Sequence, residues 1–186
     1  ITVITSIILV NQSTYTDNPA LATSGDERSL TGAEAQTYGN AVKELTPGSS
    51  NFSISYGVTA SLLGGSSGSN GSYLLFADRN SNSVYDGNWT CTVGGGSECL
   101  EKVSFSRSNY IDQICVVHTD ANIVCGYGRV DVSFVRPNTD ARLIFFNTSG
   151  GQSGESNVQA AKLILKSPGG KSVNVIIYTS GQVAVQ

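Results

Sequence analysis

From Phe52 onward the chain changes its hydrophobic period. Phe52, Ile54, Tyr56 and Val58 alternate with small polar residues, the spacing of a strand with one wet face and one dry face. Further strand-like runs follow at 73–77, 102–106, 110–117, 129–135, 142–146, 161–166, 172–178 and 182–185. Turn chemistry separates them at Pro137-Asn138, Gly150-Gly151, Pro168-Gly169-Gly170 and Ser180-Gly181. Composition agrees. Only 13% of the 186 residues are charged, 39% are hydrophobic and 21 are Gly, which excludes a coiled coil or a charged helical bundle. A chain this long buries enough surface to own a core without a metal or a disulfide.

Upstream of that change the pattern is helical. Ser24-Gly-Asp-Glu27 has the spacing of a capping box, in which each end side chain satisfies the other's free backbone N–H. Leu30, Ala33, Tyr38, Ala41, Val42 and Leu45 then form one apolar stripe, which predicts a helix over about 26–45 ended by Pro47-Gly48. Residues 1–10, ITVITSIILV, carry no charge. As a helix they would be about 15 Å long, half of a ~30 Å hydrocarbon core. They read as half of a spanning helix, a first core strand, or the remnant of a signal segment. The sequence holds no Met, which predicts a processed or truncated product. The fold class expected is therefore α+β, with an N-terminal helix packed on an antiparallel β-sheet head. A helical region over 1–46 (hydrophobic half 1–12, amphipathic half about 26–45) would precede a β-rich head over 47–186.

Four cysteines lie as two close pairs, which permits three connectivities. The local pairing, Cys91 with Cys99 and Cys115 with Cys125, is expected because each bond would staple a short loop between apolar runs. Zinc would want tighter spacings. Bridges imply an oxidising compartment. The net charge of −3 and eleven scattered Lys and Arg leave no clear nucleic-acid site, since backbone binding scales with clustered cations.

One loop carries a spacing with chemical meaning. Asp78, Asn80, Asn82 and Asp86 place oxygen side chains at relative positions 1, 3, 5 and 9, and Val84 would offer a carbonyl at position 7. Alternate oxygens of this kind suit calcium. Ser83 stands where Gly is usual and Trp89 where a bidentate Glu is usual, so Glu98 or Glu101 would have to complete the shell. The competing reading is a loop that uses Asp and Asn for its turns. His118, the only His, is expected in an exposed hairpin tip, and no nucleophile elbow accompanies it.

Taken together, four stretches resemble the type IV pilin and pseudopilin superfamily, in particular its GspH/FimT-type minor pilins. They are residues 1–10 with Asn11; Glu34-Ala-Gln36-Thr-Tyr38-Gly39; Tyr73-Leu-Leu-Phe76-Ala-Asp78-Arg-Asn80-Ser-Asn82; and Ile176-Ile-Tyr178-Thr-Ser180-Gly181-Gln182-Val183. The resemblance implies a non-enzymatic filament subunit, cleaved from a leader and methylated. Such a subunit is anchored in a bacterial inner membrane before assembly and exposed at the cell surface or in an extracellular filament afterwards. Its partners would be copies of itself or other pilins. The leader and the family's early Glu have no counterpart in the sequence given. The residues expected at the assembly interface are Ile1, Val3, Ile4, Ile7, Ile8, Leu9 and Val10, whose desolvation would contribute about 1.5–3 kcal/mol per fully buried side chain. The alternative is a surface binding module, either an adhesin head or a DNA-uptake minor pilin. For DNA, Arg107, Arg129, Arg136 and Arg142 are the candidates.

Overall fold

The computed structural model describes residues 54–92, 96–134 and 140–186. Eleven strands account for nearly all regular structure in them: β1 (Ser55–Ser61), β2 (Ser72–Asp78), β3 (Cys99–Ser104), β4 (Tyr110–His118), β5 (Ile123–Cys125), β6 (Arg129–Phe134), β7 (Ala141–Phe146), β8 (Gln152–Ser153), β9 (Val158–Lys166), β10 (Ser172–Tyr178) and β11 (Val183–Val185). The remaining elements are two single turns of 3₁₀ helix, Gly65–Ser67 and Ser106–Ser108. A front sheet has the order β3-β2-β1-β6-β7-β8 and a back sheet the order β11-β10-β9-β4-β5. Every pairing in both is antiparallel.

The register shows why two sheets are needed. In the front sheet one inward row runs Leu75, Val58, Val132, Leu143, and the next runs Tyr73, Ala60, Val130, Phe145. The back sheet answers with Val185, Val175, Leu163, Ile114 and with Val183, Ile177, Ala161, Val116, Val124. These rows interlock in a single core cluster drawn from both sheets, the packing of a β-sandwich. Tyr127 and Phe145 meet within it at 5.0 Å between ring centroids.

This corrects the α+β expectation. Among the described residues the inward face of each sheet is covered by the other sheet, not by a helix, so the class is all-β. The stretch 26–45 that suggested a helix, and the interface candidates Ile1, Val3, Ile4, Ile7, Ile8, Leu9 and Val10, lie outside the described residues.

The outward face of β2 is also dry. Leu74 and Phe76 point away from the sandwich and join Tyr85, Trp89 and Cys99 in a second buried cluster. The chain after β2 folds back over its own sheet to make that cover. Gly57 on neighbouring β1 permits it: a Cβ there would stand 2.5 Å from the Phe76 ring and 2.5 Å from the Val132 carbonyl.

Phe145 is 1% exposed, so Phe145→Ala is expected to cost about 3–5 kcal/mol, read as a lowered midpoint in denaturant unfolding with the slope unchanged.

Candidate functional site

Three buried carboxylates organise the covering loop. Asp78 ends β2, and its Oδ2 accepts the Ser83 N–H at 2.8 Å while its Oδ1 accepts that of Asn82 at 3.0 Å. Glu98 stands immediately before β3. Its Oε1 accepts the Arg79 N–H at 3.1 Å and its Oε2 the Asp86 N–H at 2.8 Å. Asp131, wholly buried on β6, accepts the Tyr85 N–H at 2.9 Å and is forked by Arg129, whose guanidinium also donates to the Tyr85 carbonyl. Each acid thus satisfies backbone donors of a segment that belongs to no ladder, which is what such a segment needs when it lies against a sheet.

Apolar and covalent contacts complete the cover. The Trp89 indole N–H donates to Ser72 Oγ at 3.0 Å, and its backbone N–H donates to the Ser66 carbonyl at 2.9 Å. Tyr85 packs on Phe76 at 5.6 Å, and the Cys91–Cys99 bond ties the end of the loop to β3. The Gly65–Ser67 turn, inside a Gly/Ser-rich tract over 64–71, is held in place by Trp89 and by Ser61 Oγ, which donates to the Ser67 carbonyl at 3.2 Å. Arg129 stacks over the Phe146 ring at 4.5 Å.

The five calcium candidates do come together in this loop, but by hydrogen bonds between themselves. The amide nitrogens of Asn80 and Asn82 donate to Asp86 Oδ2 at 2.6 and 2.7 Å. Their amide oxygens accept the N–H groups of Asn82 and Val84, which fixes which way each amide faces. A hard cation needs six to eight converging oxygens. In this arrangement the Asn80 and Asn82 amide nitrogens, not their oxygens, face Asp86, so these oxygens are not turned together as such an ion would need. Ser83 does adopt the left-handed φ of 66° for which glycine is the usual residue. Among the described residues no group of three or more His, Cys, Asp or Glu side chains is placed to hold a metal. Glu101, the other candidate for a shell, lies exposed on β3.

His118 ends β4 as the first residue of the β4–β5 hairpin turn, its N–H donating to the Asn122 carbonyl and its carbonyl accepting the Ala121 N–H, and it is half-buried rather than exposed. Its Nδ1 lies 3.0 Å from the Ser156 carbonyl and its Nε2 3.8 Å from Glu155. Glu155 also accepts from Ser153 Oγ at 2.6 Å. The bonds from Ser153, then Tyr127, hold the Glu155 carboxyl below its usual range. Burial, reinforced by Glu155, pushes the Tyr127 phenol up to about 12. Glu98 moves the other way from Glu155: burial raises it, against the pull of the Asp86 and Arg79 N–H groups. Sequence spacing offered Glu98 and Glu101 together, and nothing in it pointed to Asp131, which reaches Tyr85 from 46 residues away.

Cys115 and Cys125, directly opposite across β4 and β5, form the second disulfide. Of the arginines considered for DNA, Arg129 is committed to Asp131, Arg142 is exposed on β7, and Arg136 lies outside the described residues. No helix among the described residues is long and apolar enough to cross a membrane. Compared with protein-family models, curated proteins and solved structures, the chain matches none.

Removing Asp131 leaves Arg129 and the Tyr85 N–H without their acceptor. Asp131→Ala is expected to cost about 3 kcal/mol, the low end for breaking a buried pair because Arg129 keeps some contact with water. Loss of Tyr85 and Trp89 protection in hydrogen exchange should accompany it. Calcium in place of a chelator is expected to leave the melting temperature unchanged, since a ligand of the native state alone would raise it.

The lowered Glu155 carboxyl has a pH consequence. Its contribution to stability is present above the unfolded value of 4.5 and is lost as pH falls through the lower folded value. Glu155→Gln should therefore flatten the acid limb of the stability curve below about pH 4.5, measured by urea unfolding across pH.

Proposed function

We propose that the chain is a structural subunit of a type IV pilus or type II secretion pseudopilus, assembling through its apolar N-terminal residues and displaying the β-sandwich as an outward head. The observation that carries this reading is the use made of the stretch Phe76-Ala-Asp78-Arg-Asn80-Ser-Asn82. This stretch resembles the pilin superfamily, and its polar side chains are engaged in holding a loop over the sheet. An acid that already accepts two backbone N–H groups is an architectural residue. Two disulfides and a chain with only 13% charged residues suit exposure outside the cell. The apolar strip Ile1, Val3, Ile4, Ile7, Ile8, Leu9 and Val10 supplies the association energy, first against lipid and then against neighbouring subunits.

The second reading, a surface binding module, is favoured by one feature. A cleft of about 870 Å³ opens beside the loop, lined by Ser66, Asp86, Asn88, Thr92 and Ser97 with Arg129. Hydroxyls, an amide and one carboxylate there would suit a neutral, hydroxyl-rich ligand better than a polyanion.

The full chain with Ile7→Asp and Ile8→Asp is expected to form no sedimentable filaments, checked by pelleting and negative-stain electron microscopy, with the head's melting temperature unchanged. Filaments of the wild-type chain's width and twist that persist in this variant would contradict the assembly role of the strip.

A further inference from the structure

The two sheets treat their free edges differently. In the front sheet, edge strand β3 carries exposed Glu101 and Lys102 and is broken by a register shift opposite Leu75 and Phe76, and edge strand β8 is two residues long. Charge, irregularity and shortness are devices that keep an edge from pairing with another chain. The back sheet's edges, β5 and β11, read Ile123-Val124-Cys125 and Val183-Ala184-Val185. Neither holds a charge. The exposed large hydrophobics of the described residues are Ile123 at 49%, Val124 at 40% and Val185 at 44%, and all lie on these two strands.

The ladders say which backbone groups are free. The bonds from His118 N–H to the Asn122 carbonyl and from Gly126 N–H to the Ile114 carbonyl fix the bonded pairs between β4 and β5. By alternation the N–H and C=O groups of Ile123 and Cys125 point away from the sheet. Asn174 exchanges both bonds with Gln186, and Tyr178 N–H donates to Gln182. Val183 and Val185 therefore point outward on the other edge. Four successive antiparallel pairings separate β11 from β5, so the two edges run in the same direction.

We propose that β5 of one copy pairs with β11 of the next, parallel and head to tail, so that the back sheet continues from copy to copy. With Ile123 opposite Ala184 of the next copy, the Ile123 N–H reaches the Val183 carbonyl and its carbonyl receives the Val185 N–H. The Cys125 N–H reaches the Val185 carbonyl. Parallel register also keeps the two core sides on the same side of the joint sheet. Val124 and Val185, each the rim of a core-facing row, then lie side by side and exclude water from one another. A two-fold pairing of β5 with β5 would use one edge and leave Val185 exposed. The head-to-tail contact covers all three exposed side chains, and because it does not close on itself it propagates. This contact lies wholly within the head and does not depend on residues 1–10.

The test uses the full chain carrying Ile7→Asp and Ile8→Asp, so that only head contacts remain, and reads sedimentation velocity over a concentration series. The parent is expected to show species larger than dimers that grow with concentration. Val124→Lys alone and Val185→Lys alone are each expected to lose them and run as monomers, because every contact needs one intact β5 and one intact β11. An equal mixture of the two should form a one-to-one dimer and nothing larger. Ile123→Pro, which removes an outward N–H and no ladder bond, takes the place of Val124→Lys should that variant melt early. A monomeric parent, a mixture that stays monomeric, or a Val185→Lys chain that dimerises alone would each overturn the proposal. If edge association persists here while the same substitutions leave filaments intact, the N-terminal assembly reading alone is at fault.

Discussion

The loop that covers β2 rests on carboxylates used as acceptors for backbone. A segment crossing the face of a sheet has N–H groups that no ladder satisfies, and each one left unpaired in a dry site costs about 1–3 kcal/mol. Asp78, Glu98 and Asp131 each take one or two of these donors. They come from three strands or strand ends, so the loop is fixed relative to the whole front sheet. Phe76, Tyr85 and Trp89 can then be buried on the sheet's outward side, and the fold gains a second apolar layer that a two-sheet sandwich would otherwise lack.

The same arrangement decides what the acids do chemically. Each oxygen of Asp78 and of Glu98 accepts one backbone N–H, so both carboxylates are oriented by the loop they hold. The Asx turns at Asn80 and Asn82 orient both amides with nitrogen towards Asp86, so a spacing that suits calcium closes on itself. The features that suggest partners lie elsewhere, at the open edges of the back sheet and in the cleft beside the loop.

Much of the sandwich is legible in the sequence because its strands alternate cleanly: 172–178 is read with the boundaries of β10, and most other strands within a few residues. Two strands escape. β5 and β8, with three and two residues, are too short for a period to register. The Gly/Ser tract at 64–71 reads as loose because its order comes from Trp89 and Ser61, contacts invisible to local pattern. The oxygen-rich spacing of 78–86 is visible, but whether its amides face inward with oxygen or nitrogen is set by backbone N–H groups that a residue list does not place. The α+β class fails for a related reason. An amphipathic pattern at 26–45 says nothing about which surface covers the sheets, and the two described sheets cover each other.

Hydrogen exchange at the amides of Arg79, Ser83, Tyr85 and Asp86 tests most directly whether the loop is pinned by its acids. Protection within reach of the β1 and β6 core amides at neutral pH is the result this account predicts. Exchange at the rate of the exposed turn at 148–150 would contradict it, and with it the assignment of these carboxylates to architecture.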